Sequence, residues 1–219
     1  MKKITKTIEF ATKYKAWLDE KENNNLTHGV YGSSDDPYYH DVLYELLICQ
    51  NGLCAYTEHK LLDLEQIELL KSCFIDGKYN KNKYKPETPV QLEHFDATLK
   101  CIKCWLWSNL FAVFSVVNVR TVKGTKPTDT ILKPDMPEYE TSNLLTYKRK
   151  EHKFFPNPDL SFGEAEKVDE MIKTLGLNYG YIVTLRKDYL ENVLIQHSQN
   201  TPQTVYQFFT AFEMCKNQI

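Results

Sequence analysis

The spacing of apolar residues divides the chain into two helical flanks around a centre that carries a hairpin. Phe10, Tyr14, Trp17 and Leu18 fall at helical spacing, which predicts an amphipathic helix over residues 7–20 that ends before Asn23, Asn24 and Asn25. Turn formers from Gly29 to Pro37 place a loop over residues 26–40. A second helix is expected over residues 41–50, with Val42, Leu43, Leu46 and Leu47 on one face and Gly52 closing it. Residues 54–61 read as an extended turn, residues 61–75 mix apolar and acidic positions without a decisive period, and residues 77–89 read as an exposed, lysine-bearing loop. Residues 90–124 predict a short hairpin and then a helix. Residues 126–137 form an ordered connector, because prolines alternate there with Ile131, Leu132 and Met136.

The C-terminal flank is the more legible. Ser161 and Glu164 make a capping box ahead of Ala165, Val168, Met171, Ile172 and Leu175, and Gly176 stands where a C-terminal cap glycine belongs. Thr201 and Pro202 open a last helix with Val205, Phe208, Phe209 and Phe212 at i, i+3, i+4 and i+7, an aromatic stripe that serves as core or as a partner interface. The expected fold class is α+β and mostly helical. Its parts are an N-terminal helical region over 1–52, a central core over 53–135 and a C-terminal helical region over 136–219, joined in one compact unit.

Composition narrows the class. The 219 residues are 42% hydrophobic and 13% aromatic, enough for a folded core without disulfides. A net charge of −2 is unlike that of a stand-alone DNA binder, so any nucleic-acid contact needs a local basic patch or a partner. The six cysteines are irregularly spaced and MKKITKTIEF has no apolar core segment, so reduced thiols in a soluble cytoplasmic protein are expected, with no membrane association. Cys101 and Cys104 form a Cys-x-x-Cys pair without a second pair, and the plainer reading is two small residues beside Trp105 and Trp107.

Candidate chemistry gathers between Gln91 and Gly124: Glu93 beside His94, Asn109, and Asn118 followed by Arg120 and Lys123. Phosphodiester cleavage assisted by a hard cation needs oxygen donors and a base for water. Glu93 and Asn118 supply donors, and His94 supplies a base that is largely neutral at working pH. Asn109 is placed to hold the His94 ring or its loop in register, while Lys100, Arg120 and Lys123 would face phosphates.

The order E-H-F, W-S-N-L and N-x-R-x-x-K-G resembles the HNH, or ββα-metal, endonucleases. Leu53–Glu58 (LCAYTE), Ile131–Asp135 (ILKPD), Leu144–Tyr147 (LLTY) and Ile172–Asn178 (IKTLGLN) with Arg186 extend the likeness to the PtuB-like nuclease subunits of Septu-type and retron-linked anti-phage systems. The resemblance implies a small ββα-metal HNH core embedded in helices. It assigns His94 and Asn109 to catalysis, Glu93 and Asn118 to one Mg or Mn ion, and Lys100, Arg120 and Lys123 to nucleic acid, with DNA the expected substrate. It further implies a PtuA-like ABC-type ATPase as partner, and a retron reverse transcriptase with its RNA–DNA product as a further one. Asp135 is either a carboxylate behind the site or a turn cap.

One departure bears on stability. The family pattern carries two Cys-x-x-Cys pairs that hold a structural zinc, whereas this chain has Cys54 and Thr57 at the first and Phe114 and Val117 at the second. One thiolate does not close a tetrahedral site, so no structural zinc is expected there and an apolar plug takes its place. Two other readings remain at this point. One is a catalytically silent HNH relic that assembles with a partner or binds nucleic acid; the other is a helical structural protein in which these residues are ordinary hydrogen-bonding groups.

Overall fold

The computed structural model describes residues 1–29, 36–117, 128–199 and 204–216. Helix α1 spans Thr12–Asn23, starting later than the apolar spacing suggested. The cause lies in another element. The carboxylate of Glu45 accepts the N–H groups of Glu9, Phe10 and Ala11 at 2.9, 3.0 and 2.6 Å, which satisfies those donors in a non-helical run. Glu45 stands on α2 (Tyr39–Cys49), whose Val42, Leu46 and Leu47 are fully buried. Gly52 follows at φ +71°, and a Cβ there would lie 2.5 Å from the Leu62 carbonyl, so only glycine fits the turn.

Residues 61–75 resolve into α3 (Leu64–Ser72), capped reciprocally by Asp63 and Gln66, and then β1 (Phe74–Ile75). The stretch expected as a loop from residue 77 opens with β2 (Lys78–Tyr79), which pairs antiparallel with β1 across Asp76 and Gly77, both at positive φ. An Asp-Gly pair between apolar residues is the local signal for this hairpin.

The central hairpin is present as β3 (Val90–His94) and β4 (Leu110–Phe114), antiparallel with His94 opposite Leu110 and Glu93 opposite Phe111. Among the described residues no third strand covers β4, and side chains satisfy its outer edge. Gln50 donates to Ala112 O at 2.7 Å and accepts from Ala112 N at 2.9 Å. The Ala55 N–H adds a second donor to Ala112 O, Lys6 Nζ donates to Leu110 O at 2.9 Å, and Phe114 N–H points at Cys54 Sγ. This closes an edge that would otherwise recruit another chain. The helix expected to carry Asn118 lies outside the described residues, as do Asn118, Arg120 and Lys123 themselves.

Beyond a 3-10 turn at Thr130–Leu132 and a short α4 (Thr141–Leu144) comes an unanticipated hairpin, β5 (Leu145–Lys148) with β6 (Lys153–Pro156). Helix α5 (Phe162–Thr174) has the Ser161–Glu164 capping box read from the sequence, and Gly176 adopts φ +68° against Val117. Helix α6 (Gly180–Ser198), the longest of those described, was not foreseen. Helix α7 spans Phe209–Lys216, so Val205 and Phe208 precede it. Phe208 sits at φ +52°, its N–H on Glu58 O, and the Glu58 carboxylate caps the helix through Thr210 N at 2.8 Å and the Thr210 hydroxyl. A helix start fixed by a residue far back in the chain leaves no local signal. One buried apolar cluster joins residues from all three regions of the chain. Among the described residues, no helix is long and apolar enough to cross a membrane.

Candidate functional site

The loop between β3 and β4, residues 95–109, is held by its last residue. Buried Asn109 accepts the Asp96 N–H on Oδ1 at 2.7 Å and donates through Nδ2 to Asp96 O at 2.9 Å, while its carbonyl takes the Phe95 N–H at 2.7 Å. Three bonds at one residue pin the chain as it leaves β3. His94, 5% exposed, ends that strand with Nε2 2.8 Å from Cys104 O. A carbonyl only accepts, so Nε2 carries the proton and the neutral ring has its lone pair on Nδ1. Cys104 is itself fixed, its thiol donating to Gly29 O at 2.7 Å and the neighbouring Trp105 carbonyl accepting from Tyr14. The segment that orients His94 is therefore tied down from α1 and the residues after it.

Glu93, half-buried, leaves the strand on the face opposite His94, as alternate residues must. It stands across from Phe111. Burial raises the Tyr56 phenol well above its ordinary pKa, with the Glu93 carboxylate the next contributor, so Tyr56 stays a neutral phenol beside that acid. A site that uses both Glu93 and His94 is thus built around the end of β3 and not on one face of the hairpin. Lys100 is exposed on the 3-10 turn at Ala97–Cys101, in the same loop.

Asp135 is held by ion pairs. It lies between two ammonium groups, with Lys6 Nζ 2.9 Å from Oδ2 and Lys133 Nζ 2.9 Å from Oδ1. The second contact is an ion pair without hydrogen-bond geometry, since Oδ1 has no hydrogen-bond partner. Lys6 also lies 4.1 Å from the Phe111 ring centre, and its burial lowers its pKa to about 8 even with Asp135 opposing that shift. Nothing in the local sequence announces Lys6, because its partners lie over a hundred residues away.

At the knuckle expected to have lost its zinc, Cys54 Sγ is 3.3 Å from the Phe114 N–H. Phe114 and Val117 are buried, the Phe114 ring 4.8 Å from that of His59, and Val117 packs on Gly176. One thiol, a threonine and apolar side chains do not make a zinc donor set, and the apolar contacts hold the turn. His59 is half-buried, 3.1 Å from Gln207 Oε1 and facing Phe208. Cys101 is exposed, whereas Cys104 is buried with its thiol donating to Gly29 O. Among the described residues no three His, Cys, Asp or Glu side chains cluster as a metal site. The hard-cation donor set named from the sequence includes Asn118, outside those residues; its described member, the Glu93 carboxylate, suits Mg or Mn in donor type. No protein-family model matches the chain, and no curated protein matches it.

Proposed function

We propose that this chain is a metal-dependent HNH endonuclease that hydrolyses phosphodiester bonds in nucleic acid, with DNA as the substrate. The observation that carries the reading is the pairing of His94 Nε2 with a carbonyl at the end of a strand whose following loop is pinned by Asn109. That arrangement sets the tautomer with the lone pair on Nδ1, the form in which a histidine acts as a general base. The resemblance of E-H-F, W-S-N-L and N-x-R-x-x-K-G to the HNH pattern adds the nature of the bond cut.

In this mechanism Glu93 and Asn118 hold one divalent cation. When bound, the ion supplies positive charge that offsets the charge developing on the phosphoryl oxygens and on the leaving oxygen. His94 Nδ1 takes a proton from the attacking water, and the resulting imidazolium keeps its Nε2–H on Cys104 O, so the ring does not turn during the transfer. Asn109 acts as a positioning residue through the Asp96 backbone. Lys100, Arg120 and Lys123 contact flanking phosphates. The acidic balance of the chain supports delivery of substrate by a partner, and the same resemblance names an ABC-type ATPase in a cytoplasmic anti-phage complex, with a retron reverse transcriptase and its RNA–DNA product in some such complexes.

The test is plasmid cleavage with Mg or Mn by wild type and His94→Ala, each alone and with a candidate ATPase. Loss of a base is expected to slow cutting by about 10²–10⁴-fold with an unchanged melting curve. Glu93→Ala should raise the metal concentration required. Cutting by His94→Ala at the wild-type rate would sink the assignment, and absence of cutting by every form moves the weight to a silent subunit.

A further inference from the structure

The β5–β6 hairpin ends in a run, Lys148-Arg149-Lys150-Glu151-His152-Lys153, that the candidate site does not use. Lys148, Arg149, Lys150 and Lys153 are all exposed, and no ion pair to any of them is present among the described residues. Lys148 and Lys153 stand directly opposite each other in the ladder. Like charges in that position repel and weaken a hairpin. The fold keeps them together with Arg149 and Lys150 between, in a run whose one acidic residue is Glu151 and with Glu191 3.7 Å from His152, in a chain whose acidic residues outnumber its basic ones.

The turn is also held from beneath. His152 sits at φ +51°, its N–H reaching Arg149 O at 3.3 Å. Its carbonyl accepts from Nε and Nη2 of Arg186, at 3.2 and 2.6 Å, and Nη1 of the same guanidinium donates to Leu177 O at 2.9 Å. Arg186 is fully buried against the Tyr147 and Phe154 rings. A cation anchored inside the fold thus fixes the backbone of a turn that displays four cations outside it. Little conformational freedom remains to be lost in the turn backbone on binding.

We propose that this turn is a binding site for the phosphodiester backbone of a nucleic-acid strand. A compact cluster of lysine and arginine matches the charge of a phosphodiester backbone. A lipid surface is the poorer fit, because residues 148–153 themselves include no aliphatic or phenyl side chain and the Lys148 ammonium lies 4.3 Å from the Phe155 ring centre. The site deepens the nuclease reading by naming the surface that holds the substrate, and it is tested apart from catalysis.

The experiment measures fluorescence anisotropy of a short labelled DNA duplex and of an RNA of equal length, in EDTA so that nothing is cut. Wild type is compared with the Lys148→Gln, Arg149→Gln, Lys150→Gln, Lys153→Gln variant and with a control that neutralises the equally exposed Lys78, Lys81, Lys83 and Lys85. The turn variant should bind about tenfold or more weakly and lose about two to four units of the slope of log K against log salt, between roughly 50 and 200 mM. The control should lose much less, and the stronger arm identifies DNA or RNA as the source of the phosphates. Equal binding by wild type and turn variant overturns the proposal, as does an equal loss in both variants, which would be a net-charge effect. Binding to phosphatidylserine vesicles but to neither nucleic acid, abolished in the turn variant, also overturns it. Wild type that binds through the turn yet fails to cut with Mg or Mn would refute the nuclease reading alone.

Discussion

In the β3–β4 hairpin an amide side chain, Gln50, pairs with the outer edge at Ala112, and a buried ammonium, Lys6, sits on the Leu110 carbonyl. In the β5–β6 hairpin Asn178 pairs with the outer edge at Phe154, through bonds of 2.9 and 2.7 Å, and the buried Arg186 guanidinium sits on the His152 carbonyl. The scaffolding is the same and the displayed parts are opposite. The first hairpin buries His94 at the end of its strand and Asn109 at the end of its long loop; the second has a four-residue turn that projects cations into solvent. The two buried cations differ in the same sense. Burial lowers the pKa of both, that of Lys6 to about 8 with Asp135 opposing the shift, while the delocalised guanidinium of Arg186 is met by carbonyls and rings. A short amide staple and a buried cation suffice to close a two-stranded sheet, which leaves the loop free to carry chemistry.

The comparison breaks most sharply at the staples. Gln50→Leu removes the donor and acceptor that match Ala112 and the bond to Leu53 O, leaving the Ala112 N–H and the Leu53 carbonyl without these partners while Ala112 O keeps the Ala55 N–H. The cost is about 2–4 kcal/mol in urea unfolding. Asn178→Leu frees only the part-buried N–H and C=O of Phe154 and should cost about 1–3 kcal/mol. A reversed order, or no loss from Gln50→Leu, would show that the β4 edge is held by packing and not by its hydrogen bonds.

A smaller effect separates the hairpins by pH. Desolvation lowers the pKa of His152, with Glu191 opposing the shift at 3.7 Å. The unfolded chain then takes up a proton near the ordinary histidine pKa of about 6.5 before the folded one does, so the unfolded state binds more protons in the window just below. Stability therefore falls as pH drops through about 6.5, at no more than about 1.4 kcal/mol per pH unit from this group. His152→Asn, which keeps a residue tolerant of positive φ, should flatten that part of the stability curve. His59 is lowered by burial as well, so some slope should persist in the variant. An unchanged slope in the variant would remove His152 from the account.

What the sequence disclosed, and what it hid, follows the range of the interactions. The β3–β4 hairpin, α2 and the Ser161–Glu164 cap were readable because their signals are local, in apolar spacing and in residues three apart. Helix α6 was invisible because its apolar residues spread around the axis, with Ile182, Leu190, Val193 and Leu194 buried and Tyr181 and Ile195 exposed. The starts of α1 and α7 were misplaced because Glu45 and Glu58 set them from other elements. At the site, Glu93, His94 and Asn109 were legible as residues. The carbonyl that sets the His94 tautomer and the Lys6–Asp135 pair were not, since backbone direction and contacts across the chain leave no trace in neighbouring letters. The basic turn was written plainly as a charge run, yet a run alone does not reveal that Arg186 fixes it from within.

The finest test lies in the pair that the second hairpin keeps and the first lacks. Replacing Lys153 by threonine removes the repulsion with Lys148 and places a β-branched residue in the strand. Stability should rise by about 0.2–1 kcal/mol at low salt, and the gain should shrink as salt screens the charge it relieves. The same substitution should lower the salt slope of nucleic-acid binding by about one unit. A gain in stability joined to a loss in binding is what a surface retained for its ligand predicts, at a cost to the fold. If Lys153→Thr leaves the melting temperature unchanged at low salt, the opposed lysines do not strain the turn, and the argument that the fold tolerates them for the sake of phosphate binding loses its physical basis.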